Sequence, residues 1–171
     1  MKKRSVWFWP VMAGSLGLLV LLSINLIAIF NKPSNEIQIV NAIEQMRKNS
    51  IDGKSGGVLE VLSESFEIPA PYSPQLDGSA LQLVKTFLRS AKIKKLEIKN
   101  VKAEVYGKTA IARGTLDTDL EYIGRSFVYN GPIEINLRKE ETKRLFFLPD
   151  PRWLVIGFGP LDISQFGSLE F

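Results

Sequence analysis

The sequence predicts an α+β fold: one N-terminal transmembrane helix, then about three helices packed on a curved, mainly antiparallel sheet. Three observations support this prediction. Residues 5–31 contain no charged side chain, apolar residues then recur at helical spacing up to residue 90, and from residue 92 they alternate as in strands. A run of helices followed by a run of strands is typical of α+β domains.

The uncharged run is long enough to cross a bilayer, which takes about 20 residues. It follows Lys2, Lys3 and Arg4, whose charges predict a cytoplasmic flank over residues 1–4. A cleaved signal peptide is the rival interpretation, but its apolar core is only about 7–15 residues long. We therefore expect a single-pass, uncleaved anchor in a bacterial-type plasma (inner) membrane. A linker over residues 32–35 then leads to a domain outside the cytoplasm.

The charge of the chain belongs to this anchor. The chain has 22 Lys and Arg against 18 Asp and Glu, and its formal net charge is +4. Residues 1–35 hold all four surplus positive charges, so the remainder is neutral and we expect no nucleic acid partner. The absence of Cys and His excludes disulfides, thiolate nucleophiles, His-containing triads and metal sites with His or Cys ligands. We expect no metal and no cofactor.

The first predicted helix of the domain begins near Ser34 or Asn35, because both residue types cap helices. Its apolar face is predicted from residues at three-residue spacing, with Ile39 alongside: Ile37, Val40, Ile43 and Met46. Residues 49–57 are rich in Gly and Ser and predict a loop. The apolar residues between Val58 and Phe66 then predict a second, short helix.

Prolines 69, 71 and 74 interrupt regular structure before a third amphipathic helix, which ends near Ser90. Its predicted apolar face consists of Leu81, Val84, Phe87 and Leu88.

In the first predicted strand, the apolar residues are even-numbered up to Ile98 and odd-numbered from Val101. This change of parity predicts a β-bulge at Lys99-Asn100, because one extra residue reverses the facing. After a turn at Gly107, a long strand carries its apolar face on even positions from Ala110 to Tyr122.

The next strand follows a turn at Gly124 and covers residues 127–137, with its apolar face on odd positions. Gly131-Pro132 within it predicts a bend or bulge. Residues 153–156 are apolar on both faces, as in a strand covered on two sides.

Residues 36–160 resemble the nuclear transport factor 2-like superfold, also called cystatin-like or SnoaL-like. The resemblance lies in the helix order and in three segments, residues 101–112 (VKAEVYGKTAIA), 135–140 (INLRKE) and 152–158 (RWLVIGF). It implies a cone-shaped pocket between sheet and helices, in which family enzymes commonly place a carboxylate with His or Tyr partners. Because this chain has no His, only a variant that uses carboxylate and Tyr groups is compatible with it.

The candidate residues for a pocket or interaction site are three tyrosines, two acids and one tryptophan: Tyr106, Tyr122, Tyr129, Asp117, Asp119 and Trp153. Asp117 and Asp119 are odd-numbered on a strand whose even positions are apolar, so alternation predicts that they face solvent or a partner. The tyrosines have apolar neighbours, which predicts core positions with a hydrated hydroxyl group. The acids lack the glycine-bearing loop of a calcium site.

A basic strip near the start of the sheet is the candidate contact for an anionic surface; it consists of Lys92, Lys94, Lys95 and Lys99. The alternative is that these lysines are solvated and protect an edge strand from aggregation. Residues 161–171 form an apolar tail, which we expect to pack on its own domain or on a partner.

These observations predict a membrane-anchored, extracytoplasmic binding or scaffold domain without catalytic activity. Its expected partners are the membrane and either another protein or a second copy of the chain. The alternative function is a carrier of a small ligand, or a His-free enzyme of isomerase or dehydratase type. Such an enzyme needs at least one Asp or Glu inside the pocket, with a raised pKa.

Overall fold

The computed structural model describes residues 33–68, 79–144 and 148–160. The predicted anchor (5–31), its flank (1–4), the start of the linker and the apolar tail (161–171) lie outside the described residues. None of the described helices has the length and hydropathy needed to cross a membrane. The chain divides between Ser34 and Asn35, and the fold below is that of the unit that begins at Asn35.

The described helices are α1 (Asn35–Ile51), α2 (Ser55–Leu59) and α3 (Ala80–Ser90). Ser79 caps α3, because its hydroxyl accepts a hydrogen bond from the backbone N–H of Gln82. The predicted third helix and its end at Ser90 are thereby confirmed.

The strands are β1 (Leu62–Glu67), β2 (Lys92–Tyr106), β3 (Thr109–Tyr122), β4 (Arg125–Glu140), β5 (Lys143–Arg144), β6 (Leu148–Pro149) and β7 (Arg152–Phe158). Five of them form one curved sheet in the order β1-β7-β4-β3-β2, and β5 pairs with β6 separately. Only β1 and β7 are parallel; the other neighbours in the large sheet are antiparallel. The α+β fold with a mainly antiparallel sheet is thus confirmed.

The predicted bulge in β2 is present. Lys99 pairs with Thr115 and Lys102 with Arg113, so β2 has one residue more than β3 between these pairs. Asn100 takes a left-handed conformation, with φ of 55°. Gly114 lies on β3 opposite the bulge, where a Cβ atom would stand 2.8 Å from the carbonyl oxygen of Lys99. The bulge therefore requires a glycine at this position.

The predicted apolar face of α1 is partly wrong. Ile39, Ile43 and Met46 are buried, but Ile37 and Val40 are exposed. The buried residues are spaced by four and three positions, which keeps them on one side of a helix with 3.6 residues per turn. A strict three-residue repeat drifts around the helix and leaves that side.

The predicted second helix is also wrong over most of its length. Helix α2 ends at Leu59, and residues from Leu62 form β1, the parallel edge strand beside β7. Leu62 and Phe66 are both buried, and their four-residue spacing fits one face of a strand as well as one side of a helix. Ser63 is also buried beside Leu62, and β1 shifts register against β7 between Leu62 and Glu67.

No bulge occurs at Gly131-Pro132. Strands β3 and β4 pair without a register shift from Thr109–Arg138 to Tyr122–Arg125. The odd-numbered residues of β4 from Tyr129 to Leu137 are buried and form the core with β3, β7 and α1.

Candidate functional site

An apolar cavity of about 340 Å³ lies between the helices and the inner face of the sheet. Its volume is in the range of small-molecule sites, roughly 300–1,000 Å³. Helix α3 forms one wall, and its apolar side chains are half-buried because they border this space. The apolar lining comprises Met46, Val58, Leu62, Phe66, Ile68, Val84, Phe87, Leu88, Leu96, Ile98, Leu116, Ile133 and Phe158.

The polar side chains among the described lining residues are Arg47 and Ser50, both on α1. They are three positions apart and so share one side of the helix. The Ser50 hydroxyl donates to the carbonyl oxygen of Met46 at 2.8 Å. The polar side chains of the described walls are thus concentrated at one edge, and the other described walls are apolar.

The Arg47 guanidinium is held in place by two neighbours. Its Nε and Nη2 donate to the two carboxylate oxygens of Glu44 at 2.7 and 2.6 Å. Its Nη1 donates to the carbonyl oxygen of Leu96 on β2 at 3.2 Å. The hydrogen bond with Arg47 holds the pKa of Glu44 below its usual value, and that with Glu44 raises the pKa of Arg47. Arg47 therefore joins α1 to the sheet at the cavity edge.

No Asp, Glu or Tyr is among the described residues that line the cavity. General acid–base chemistry needs a titratable group within hydrogen-bond reach of the substrate. The described walls therefore suit the binding of an apolar molecule better than proton transfer. Within the described residues, no group of three or more acids is placed to hold a metal ion.

The structure separates the three candidate tyrosines. Tyr129 is buried, and its hydroxyl donates to the carbonyl oxygen of Pro132 at 2.8 Å. Tyr122 packs against the ring of Phe87 at 5.1 Å, beside the cavity wall. Tyr106 is exposed, and its hydroxyl donates to Glu104 at 2.8 Å. The predicted core position of Tyr106 is wrong, because this side chain belongs to the outward-facing positions at the end of β2.

Trp153 is buried on β7 and is not among the described residues that line the cavity. Its Nε1 donates to Asn35 Oδ1 at 3.3 Å, and the Lys139 ammonium stands 5.7 Å from the ring centre. A second, more polar depression involves Trp153 together with residues of α1, such as Gln38 and Gln45. The indole therefore fixes the start of α1 to β7 and β4.

Asp117 and Asp119 lie on the face of β3 opposite the buried side chains of Leu116 and Thr118, as alternation predicts. Asp117 accepts from Lys95 at 2.6 Å and lies 3.7 Å from Lys99. The hydrogen bond from Lys95 lowers the pKa of Asp117. This carboxylate is therefore ionised and paired at neutral pH.

The four lysines of the basic strip are exposed along β2, the edge strand of the sheet. Lys94 pairs with Glu121 at 3.7 Å, and Lys99 pairs with Glu97 at 2.6 Å. The pKa of Lys99 is raised and that of Glu97 lowered by their mutual hydrogen bond. Acids on the same sheet surface thus balance much of the strip.

Sequence reasoning did not identify Arg47 and Ser50 as site residues. Their signal was weak: both flank the buried residues of α1, and Arg47 follows Ile43 by one helical turn. Such a position on a helix is also usual for a charged residue that extends its aliphatic stem over a core.

No protein-family model matches the sequence, and neither does any curated protein. Solved structures do match. A nuclear transport factor 2-like protein of unknown function in nutrient uptake from Rhodospirillum rubrum superimposes with a TM-score of 0.56 at 15% identity, covering 70% of this chain and 93% of the other. One of unknown function from Prochlorococcus has a TM-score of 0.54 at 20% identity, covering 77% and 98%.

A third match is a Novosphingobium aromaticivorans protein provisionally named a scytalone dehydratase, with a TM-score of 0.53 at 12% identity over 78% of this chain and 83% of that one. At these identities the matches establish the fold alone, which is nuclear transport factor 2-like. Because one fold supports many functions, activity must be argued from the cavity.

Proposed function

We propose that this chain is a membrane-anchored, non-catalytic domain outside the cytoplasm that binds a small apolar molecule in its cavity. The cavity is the observation that carries the proposal: about 340 Å³, with apolar side chains on all described walls except the edge at Arg47 and Ser50. Burial of apolar ligand surface contributes roughly 25 cal/mol per Å². A ligand in such a cavity therefore owes most of its binding free energy to the burial of apolar surface.

The composition of the walls favours binding over catalysis. A dehydratase or isomerase of this fold without His needs a carboxylate or a tyrosine at the substrate. Among the described lining residues the charged side chain is Arg47, whose charge is permanent in proteins. The enzyme alternative therefore has no described general base.

Binding is tested with 1-aminonaphthalene, an uncharged two-ring probe whose short-wavelength emission rises in apolar surroundings. The full chain is reconstituted in lipid nanodiscs, and empty nanodiscs give the partition background. Excitation at a wavelength longer than those that tryptophan absorbs avoids fluorescence from the protein itself. We expect saturable enhancement with the wild type.

Two matched variants locate the bound probe. Val84→Trp inserts an indole ring into the cavity from α3, whereas Val128→Trp makes the same change at an exposed position of β4. We expect Val84→Trp to weaken binding at least tenfold and Val128→Trp to leave it unchanged. Equal binding by both variants, or no enhancement above empty nanodiscs, refutes the proposal.

The anchor is supported by the 27 uncharged residues 5–31 behind a basic flank. Alkaline carbonate should leave the full chain in the membrane pellet, and the mass of the mature protein should include residue 1. A protease added outside spheroplasts should digest the domain. Extraction by carbonate, or a mass that lacks residues 1–31, contradicts an uncleaved anchor.

A scaffold role is the second candidate, because an apolar side chain is exposed in the turn of the β3–β4 hairpin. Ile123 in this turn is 77% exposed. We propose a second copy of the chain as the partner at this hairpin. Photo-crosslinking from position 123 in membranes should give a homodimer band, and its absence argues against self-association there.

A further inference from the structure

We propose that the ligand of the cavity is a small amphiphile: an apolar body that fills the cavity and one terminal acidic group that binds Arg47. This inference rests on the proposed binding function and adds the chemical class of the ligand. Its first basis is the polarity of the lining, because the polar side chains of the described walls both stand on one face of α1. A ligand with one polar end therefore has a defined orientation.

The second basis is the donor count of Arg47. A guanidinium carries five N–H donors. Glu44 takes two of them and the Leu96 carbonyl takes one, which leaves two without a partner among the described residues. The Arg47 side chain is 25% exposed, so the cavity edge reaches solvent there. An acidic group at that edge can accept from the two remaining donors.

The volume limits the size of the apolar body. A water molecule occupies about 30 Å³ of liquid, and an engineered cavity of about 150 Å³ holds benzene. The cavity therefore accommodates about eleven non-hydrogen atoms, which corresponds to one medium-length acyl chain or a two-ring aromatic body. A two-chain phospholipid is several times too large.

Two acids compete with the ligand for Arg47. Glu44 holds the guanidinium directly, and Glu97 on β2 acts on it electrostatically. The ligand therefore adds hydrogen bonds to a charge that is already partly compensated. We expect the acidic group to contribute about tenfold in affinity, or about 1.4 kcal/mol.

The test is displacement of 1-aminonaphthalene by decanoate and by 1-decanol, which share one chain and differ in the head group. Arg47→Met keeps an unbranched apolar stem and removes the guanidinium with its donors. Arg89→Met makes the same change at an exposed residue of α3 that does not line the cavity. We expect Arg47→Met to weaken decanoate about tenfold and decanol less than twofold, and Arg89→Met to change neither.

Glu44→Gln provides a second, opposite prediction. It removes the negative charge that competes for Arg47, so decanoate should bind a few-fold more tightly and decanol equally well. If the Glu44–Arg47 pair only maintained the wall of the cavity, Glu44→Gln would weaken both compounds alike. If Arg47→Met fails to fold, Glu44→Gln still tests whether Arg47 binds the acidic group of the ligand.

The outcomes separate this inference from the proposed function. If the probe binds and Val84→Trp abolishes its binding, but decanoate has no advantage that depends on Arg47 and Glu44, the binding function stands and the amphiphile is refuted. If the probe does not bind in the cavity, both fail. If decanoate competes with the probe and 2-naphthoate does not, the apolar body of the ligand is an acyl chain. If 2-naphthoate competes and decanoate does not, the ligand is an aromatic acid. If neither compound competes, the inference is overturned.

Discussion

Replacing Ser63 with alanine should destabilise the domain in a pH-dependent way. Ser63 on β1 is fully buried, and its hydroxyl donates to Glu140 Oε1 at 2.7 Å. The same carboxylate oxygen accepts from Arg138, through Nε at 3.0 Å and Nη2 at 2.6 Å. Burial alone would raise the pKa of Glu140, but the hydrogen bonds from Ser63 and Arg138 lower it below its usual value.

The expected cost of Ser63→Ala follows from these contacts. A hydrogen bond to a charged group contributes about 1.5–3 kcal/mol to the free energy of unfolding. The Glu140 side chain is 25% exposed and keeps Arg138, so we expect the low end, about 1.5 kcal/mol at pH 7. This difference in the free energy of unfolding is measured by urea unfolding of the full chain, monitored by circular dichroism. Ser63→Thr, which retains the hydroxyl, tests whether loss of the donor is responsible.

The pH dependence gives the sharper test. Because the folded pKa of Glu140 is lowered, its ionised form stabilises the domain above the unfolded pKa, and this contribution is lost as the pH falls through the folded pKa. The difference between wild type and Ser63→Ala should therefore shrink below about pH 4.5, the ordinary value of Glu. Glu140→Gln should remove most of that pH dependence. A difference that is the same at pH 7 and pH 3 would refute this account.

Two further substitutions test the packing around the core. Gly114→Ala should cost about 1–3 kcal/mol, because its methyl group meets the Lys99 carbonyl oxygen at 2.8 Å. Gly56→Ala, whose methyl group enters open space, should be neutral or slightly stabilising in the same urea titration. Tyr129→Phe should cost about 1 kcal/mol, because it removes the buried hydrogen bond to the Pro132 carbonyl. An unchanged unfolding midpoint for Gly114→Ala or Tyr129→Phe would contradict the corresponding contact.

The sequence predicted β3 and β4 well, because one face of each is buried and the period-2 pattern is then strict. It also located the bulge at Lys99-Asn100, since one extra residue reverses the parity of every later side chain. It failed for β1, because the four-residue spacing of Leu62 and Phe66 fits one face of a strand as well as one side of a helix. Pairing with β7 makes this segment a strand, and the local sequence pattern does not show that pairing.

The cavity could not be predicted for a different reason. Its lining residues, such as Val84, Leu88 and Leu96, have the same composition and periodicity as a filled core. The space depends on the distance between α3 and the curved sheet, which no residue type encodes. The candidate tyrosines and acids attracted attention because their side chains carry chemistry, yet none is among the described lining residues.

An apolar cavity of this size has an energetic consequence. The apolar side chains of α3 that border the cavity lack packing partners on that side, and an apolar occupant supplies them. A ligand at one hundred times its Kd adds about 2.7 kcal/mol to the free energy of unfolding. The probe 1-aminonaphthalene should therefore raise the melting temperature of the wild type and of Val128→Trp, but not of Val84→Trp. Equal shifts in all three would place the probe outside the cavity.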